Sequence, residues 1–119
     1  MQRKPRIHRE AHLSFIRTLP CLLTGEDTSV EACHIRFSDP RVCKNNAGVG
    51  AKPDDVFVVP LSGEMHRVQH SIGNERKFWD RFNLDPIFYA LALFAFSGDY
   101  EIGCRVVRYA NAESRRHET

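Results

Sequence analysis

The sequence predicts an α+β domain in which one short pair of strands is embedded among helices. Three observations lead there. Val30 to Phe37 and Val56 to Leu61 are rich in β-branched and aromatic residues, are flanked by turn-forming residues, and read as strands. Arg9 to Leu19, and the stretches that follow Ser62, Asn74 and Asp85, carry helical spacing or helix caps instead. Between Cys33 and His70 the order strand, loop, strand, helix sets one histidine near the start and two at the end. The rest of the chain is arranged to hold that stretch.

Size and composition are those of one domain. The 119 residues are 42% hydrophobic and 27% charged, enough to bury a core without staples. The expected organisation is a basic flexible arm over residues 1–9, a single domain over 10–110 and a charged tail over 111–119. A net charge of +2 is only mildly basic and does not by itself identify a nucleic-acid binder. Its distribution is more suggestive, because Arg3, Lys4, Arg6, Arg9 and Arg17 face a single acid, Glu10. No apolar signal follows Met1, and the apolar run Ile87 to Phe96 is too short to span a bilayer. The expectation is a soluble, cytoplasmic protein of a bacterial or phage-infected cell, with no membrane partner. Cys21, Cys33, Cys43 and Cys104 are irregularly spaced, with no Cys-x-x-Cys, and indicate reduced thiols instead of a disulfide framework or a complete zinc ribbon.

Each element has a local reason. Leu13, Phe15, Ile16 and Leu19 give the first helix its apolar face, and Pro20 stops it. Thr24-Gly25-Glu26-Asp27 is a turn signal, a knuckle between that helix and the first strand, which Ser38-Asp39-Pro40 ends. The stretch from Arg41 to Asp54 is long for a connection; Gly48 and Gly50 allow close backbone approach, while Lys44 and Lys52 supply positive charge. It reads either as a phosphate-contacting loop or as a mobile surface loop. After the second strand, Ser62 caps a helix bearing Glu64, His66 and His70, with Gly73 past its end. Two histidines four apart lie one above the other, about 5–6 Å apart at Cβ, so both imidazoles can reach one metal ion. Strand pairing would bring His34 alongside, where it could activate a water.

Asn74 starts a short helix with Phe78, Trp79 and Phe82, and Asp85-Pro86 starts another that Gly98 stops. The latter is apolar all round from Ile87 to Phe96, which predicts burial on more than one side, as a core helix or as half of a homodimer interface. Glu101 to Tyr109 reads as a last strand or extended segment, and Glu113 to Thr119 as a frayed, charged tail.

Several pieces recur here in a familiar order: Leu13-Ser14-Phe15-Ile16-Arg17-Thr18-Leu19-Pro20-Cys21, Ala32-Cys33-His34-Ile35, Gly48-Val49-Gly50-Ala51-Lys52-Pro53-Asp54-Asp55, Val59-Pro60-Leu61 and His66-x-x-x-His70. Over roughly residues 10 to 90 the chain resembles the HNH nucleases, also called His-Me finger or ββα-metal nucleases. Its closest likeness is to the phage and prophage branch that includes the recombination-enhancement nucleases. The resemblance implies a ββα-metal core with added flanking helices, one divalent ion (Mg, Mn, Ni or Zn), and hydrolysis of phosphodiester bonds in DNA. On it, His34 matches the general base, His66 and His70 the helix-borne metal ligands, and Asp55 a residue that orients the base or contacts the ion. Lys44, Lys52, Arg3, Lys4, Arg6 and Arg9 become candidate contacts to nucleic acid. Neutral imidazole suits the base, since it titrates near pH 6.5 and accepts a proton from water near neutrality.

Two departures from the family pattern carry expectations of their own. Cys33 stands where the family commonly has His or Asp; strand alternation would turn it into the core, and as a ligand it would favour a softer ion such as Zn²⁺. The knuckle zinc of many relatives would need ligands at Cys21, Thr24, Ser62 and Met65, of which only Cys21 is suitable. The knuckle is therefore expected to be degenerate and zinc-free, closed by packing. Besides the endonuclease, two other classes stay open: a non-catalytic nucleic-acid-binding module that retains the fold, and a structural or metal-binding interaction protein dimerising through Ile87 to Phe96.

Overall fold

The computed structural model describes residues 7–42, 44 and 54–117, with the side chains of 115–117 left aside. Among these the order is α1 (Glu10–Arg17), β1 (Val30–His34), a 3-10 turn (Pro40–Val42), β2 (Val58–Ser62), α2 (Gly63–Ile72), α3 (Glu75–Arg81), α4 (Pro86–Ala95) and α5 (Tyr100–His117). The mixed class is as predicted, a two-stranded sheet set among helices. No helix among the described residues is long and apolar enough to cross a membrane.

β1 and β2 pair antiparallel, with Val30 opposite Ser62, Ala32 opposite Pro60 and His34 opposite Val58. The pairing continues past the strand ends through Ile35 N–H to the Phe57 carbonyl at 2.9 Å. Every residue of β2 is buried, because its outer side is covered as well: Leu22 N–H donates to the Pro60 carbonyl at 2.8 Å. Proline fits there because the backbone needs only its carbonyl at that position. Ile16, Leu19, Leu22, Ile35, Leu61, Phe78 and Trp79 are among the residues wholly withdrawn into the core.

The caps read from the sequence form. Ser62 Oγ accepts from Met65 N at 3.2 Å, Asn74 Oδ1 from Lys77 N at 3.1 Å, and Asp85 Oδ1 from Ile87 N at 3.1 Å. Each satisfies an amide that the first helical turn leaves without a partner. Because β2 ends at Ser62 and α2 begins at Gly63, the strand passes directly into the histidine-bearing helix.

Glu101 to Tyr109 is not a strand: it lies within α5. The β-branched Ile102, Val106 and Val107 suggested an extended segment. The buried positions, however, are Gly103, Val107, Ala110, Asn111 and Ser114, which is the spacing of one helix face. Asp99 Oδ1 opens the helix by accepting from Ile102 N at 3.1 Å. At Gly103 a Cβ would stand 2.8 Å from Leu19 Cδ2 and 2.9 Å from Phe15 Cζ, so glycine lets α5 close onto α1. The helix also runs through the stretch read as a tail, where Tyr89 Oη donates to Glu113 at 3.0 Å.

α4 buries Ile87, Tyr89, Ala90 and Leu93 but leaves Phe88 60% and Phe96 48% exposed. It is a core helix on one side only, not apolar contact all round. Hydrogen bonds hold the knuckle. Cys21 N donates to the Glu26 carbonyl at 2.7 Å, and Asn111 Nδ2 of α5 donates to the Leu22 carbonyl at 2.5 Å. Of the other three positions expected to hold a knuckle ligand, Thr24 Oγ1 accepts from Glu26 N at 3.2 Å, and Ser62 and Met65 serve as the cap of α2 and its partner.

Candidate active site

His34, at the end of β1, is held by a carboxylate that is itself out of reach of solvent. Its Nε2 lies 2.8 Å from Asp55 Oδ1, and Asp55 is 0% exposed. The other oxygen, Oδ2, takes His8 Nδ1 at 2.9 Å and Arg9 N–H at 2.7 Å. Asp55 N–H donates in turn to the Ile7 carbonyl, and Ile7 N–H to Asp54 Oδ1. A carboxylate that accepts from Nε2–H leaves the lone pair of His34 on Nδ1, the nitrogen a base needs. These contacts place Asp55 where it can orient His34.

His34 opens onto a cleft of about 400 Å³ whose walls include Arg36, His66, His70, Gln69 and Glu75. Ala32, His34 and Arg36 reach it together because alternate residues of an extended chain share a face. The helix wall is fastened to the strand wall: Gln69 Nε2 donates to Glu75 Oε2 at 2.9 Å, and Glu75 Oε1 accepts from Arg36 N at 2.9 Å.

His66 and His70 converge as their spacing predicts. Their ring centroids are 4.8 Å apart and their Nε2 atoms 3.2 Å apart. Two nitrogens about 2.0–2.1 Å from a tetrahedral ion stand roughly 3.3–3.4 Å apart, so the pair fits two positions on one ion. His66 Nδ1 lies 2.8 Å from Glu31 Oε1, the carboxylate support that metal-binding histidines usually have. Among the described residues no group of three or more His, Cys, Asp or Glu side chains could hold an ion.

Other candidates are placed differently. Cys33 is 2% exposed and its Sγ–H donates to Gln69 Oε1 at 3.2 Å. Burial above all, and then Glu75 and Glu31, push the thiol up to about 12. In this structure Cys33 is therefore a buried core thiol bonded to Gln69, turned inward as strand alternation predicts. Lys44 also turns inward: it is 6% exposed, its Nζ donates to the Phe37 carbonyl at 2.7 Å, and it lies over the Phe57 ring. Burial lowers its pKa. The reading of Lys44 as a nucleic-acid contact is thus corrected to a structural role. The backbone of Arg9 serves Asp55 while its side chain is exposed, so residues 7–9 belong to the domain and not to a flexible arm. Arg3, Lys4, Arg6 and Lys52 lie outside the described residues.

Sequence reasoning passed over His8, Glu31, Arg36, Gln69 and Glu75. Arg36 was readable from strand alternation beside His34. His8 and Glu31 left no local signal, since their partners are 47 and 35 residues away. Comparison with protein-family models, with curated proteins and with solved structures finds no match to this chain.

Proposed function

We propose that this protein is a metal-dependent endonuclease that hydrolyses phosphodiester bonds in DNA, built on a ββα-metal core. The observation that carries the reading is that the carboxylate-held His34 and the convergent His66/His70 pair line the same cleft. Nδ1 of His34 takes a proton from water, the water oxygen bonds to phosphorus, and the bond from phosphorus to the departing sugar oxygen breaks. That oxygen takes its proton from solvent. Asp55 keeps the imidazole in the tautomer and orientation this requires and stabilises the imidazolium that forms. A divalent ion held by His66 and His70 would neutralise charge on the phosphate and on the departing oxygen. Arg36, on the strand wall, adds a cation suited to phosphate.

The test is nicking of supercoiled plasmid, and cleavage of single-stranded DNA, with Mg²⁺, Mn²⁺, Ni²⁺ or Zn²⁺ and with chelator. Divalent-dependent cleavage is expected. Salt-sensitive DNA binding with no cleavage under any ion would select the non-catalytic binding module instead.

A further inference from the structure

Glu31 is half exposed, and its backbone pairing with Leu61 asks nothing of its side chain. Its carboxylate is nevertheless turned to His66, with Oε1 2.8 Å from Nδ1. Gly63, the first residue of α2, makes room for it: a Cβ there would stand 2.8 Å from Glu31 Oε2. The carboxylate thus lies across the start of the helix in space that any other residue would fill.

A carboxylate accepts and does not donate, so in the neutral ring the proton of His66 sits on Nδ1 and its lone pair on Nε2. Nε2 is the atom that lies 3.2 Å from His70 Nε2, and it is the atom an ion shared with His70 would take. We infer that Glu31 is a positioning residue for the metal pair: it selects the His66 tautomer and aims Nε2 at the ion, and Gly63 is the residue that admits it. The inference rests on the proposed binding of an ion by His66 and His70.

The experiment is calorimetric titration of the full chain with Ni²⁺ and with Zn²⁺, alongside ring ¹⁵N spectra of the metal-free protein. Glu31→Ala should weaken binding by about 10- to 100-fold, the usual effect of losing such a support, and should change His66 from the Nδ1–H form to a tautomer mixture. Glu31→Gln keeps an acceptor oxygen and should hold the tautomer while losing less affinity. Gly63→Ala, which leaves Glu31 intact but displaces it, should move affinity and tautomer toward the Glu31→Ala values. Thermal melts establish that each variant is folded. Wild-type affinity in folded Glu31→Ala, or an unchanged His66 tautomer, overturns the inference and leaves the endonuclease reading standing. A wild-type chain that binds neither ion overturns both.

Discussion

His8 and His34 take opposite oxygens of one buried carboxylate, that of Asp55, at 2.9 and 2.8 Å. The chain segment that enters α1 is therefore tied to the same group that orients the candidate base. What happens to residues 7–9 is felt at His34.

Two deletions separate the arm from this tie. Removing residues 1–6 should leave the fold unchanged, weaken DNA binding across all sequences and flatten its salt dependence, if those cations track phosphates. Removing residues 1–9 should also lower stability by about 1–3 kcal/mol, because donors to a buried carboxylate are lost. Urea unfolding and salt-dependent DNA titration read the two effects. Equal stability of both deletions would show that the contacts to Asp55 contribute nothing net.

His34 and His70 should fail in different ways. His34→Ala should cut cleavage by about 10²–10⁴-fold, the usual worth of a positioned base, while leaving metal affinity unchanged. His70→Ala should weaken the ion site itself, with partial recovery of cleavage in excess ion. Metal titration of both variants checks the assignment. Loss of metal binding in His34→Ala would make His34 a ligand.

Cys33 should be inert. In the native protein a thiol reagent should react with the partly exposed Cys104 well before it reaches Cys33 or Cys21, both buried. Cys33→Ala should bind Ni²⁺ or Zn²⁺ as the parent does, at some cost in stability. Mass spectrometry of the labelled protein and the same metal titration decide the point. Lost affinity in a folded Cys33→Ala would restore it as a ligand.

His12 should make stability pH-dependent. It is 2% exposed, packs edge-on to Phe94, bonds Ser97 Oγ through Nδ1 and has no hydrogen-bond partner at Nε2 among the described residues. Burial lowers its pKa, against a smaller opposing pull from Asp55. The unfolded chain therefore binds the proton more readily than the folded one. Its contribution is complete above the unfolded value of about 6.5 and is lost as pH falls from there through the lowered folded value. Urea midpoints between about pH 5 and 8 should decline on the acid side, and His12→Gln should flatten that slope. An identical slope in the variant would assign the acid sensitivity to other groups.

How much of this was legible in the sequence depended on the range of the interaction concerned. The caps at Ser62, Asn74 and Asp85 and the His66/His70 pair act within one helical turn, and all were readable. Cys33 was readable in part, since strand alternation turned it inward but could not supply Gln69 as its partner. Lys44 was read as a loop cation because composition says nothing about where a side chain points; Phe37 and Phe57 are what draw it in. α5 was misread because local β propensity is a weak signal. Gly103 shows its purpose only once Phe15 and Leu19 are packed against it, and Asn111 only once it meets the Leu22 carbonyl. His8 and Glu31 act across the tertiary structure and left no local trace.

The clasp on the knuckle spans most of the chain's synthesis. Asn111 reaches back 89 residues to the Leu22 carbonyl. Closing a loop of that length costs entropy before the contact rewards it. A ribosome that stops anywhere between Ile72 and Tyr100 releases a chain with His34, Asp55, His66 and His70 all present and the knuckle unclasped. All four are thus synthesised well before Asn111, the residue that secures the turn ahead of β1.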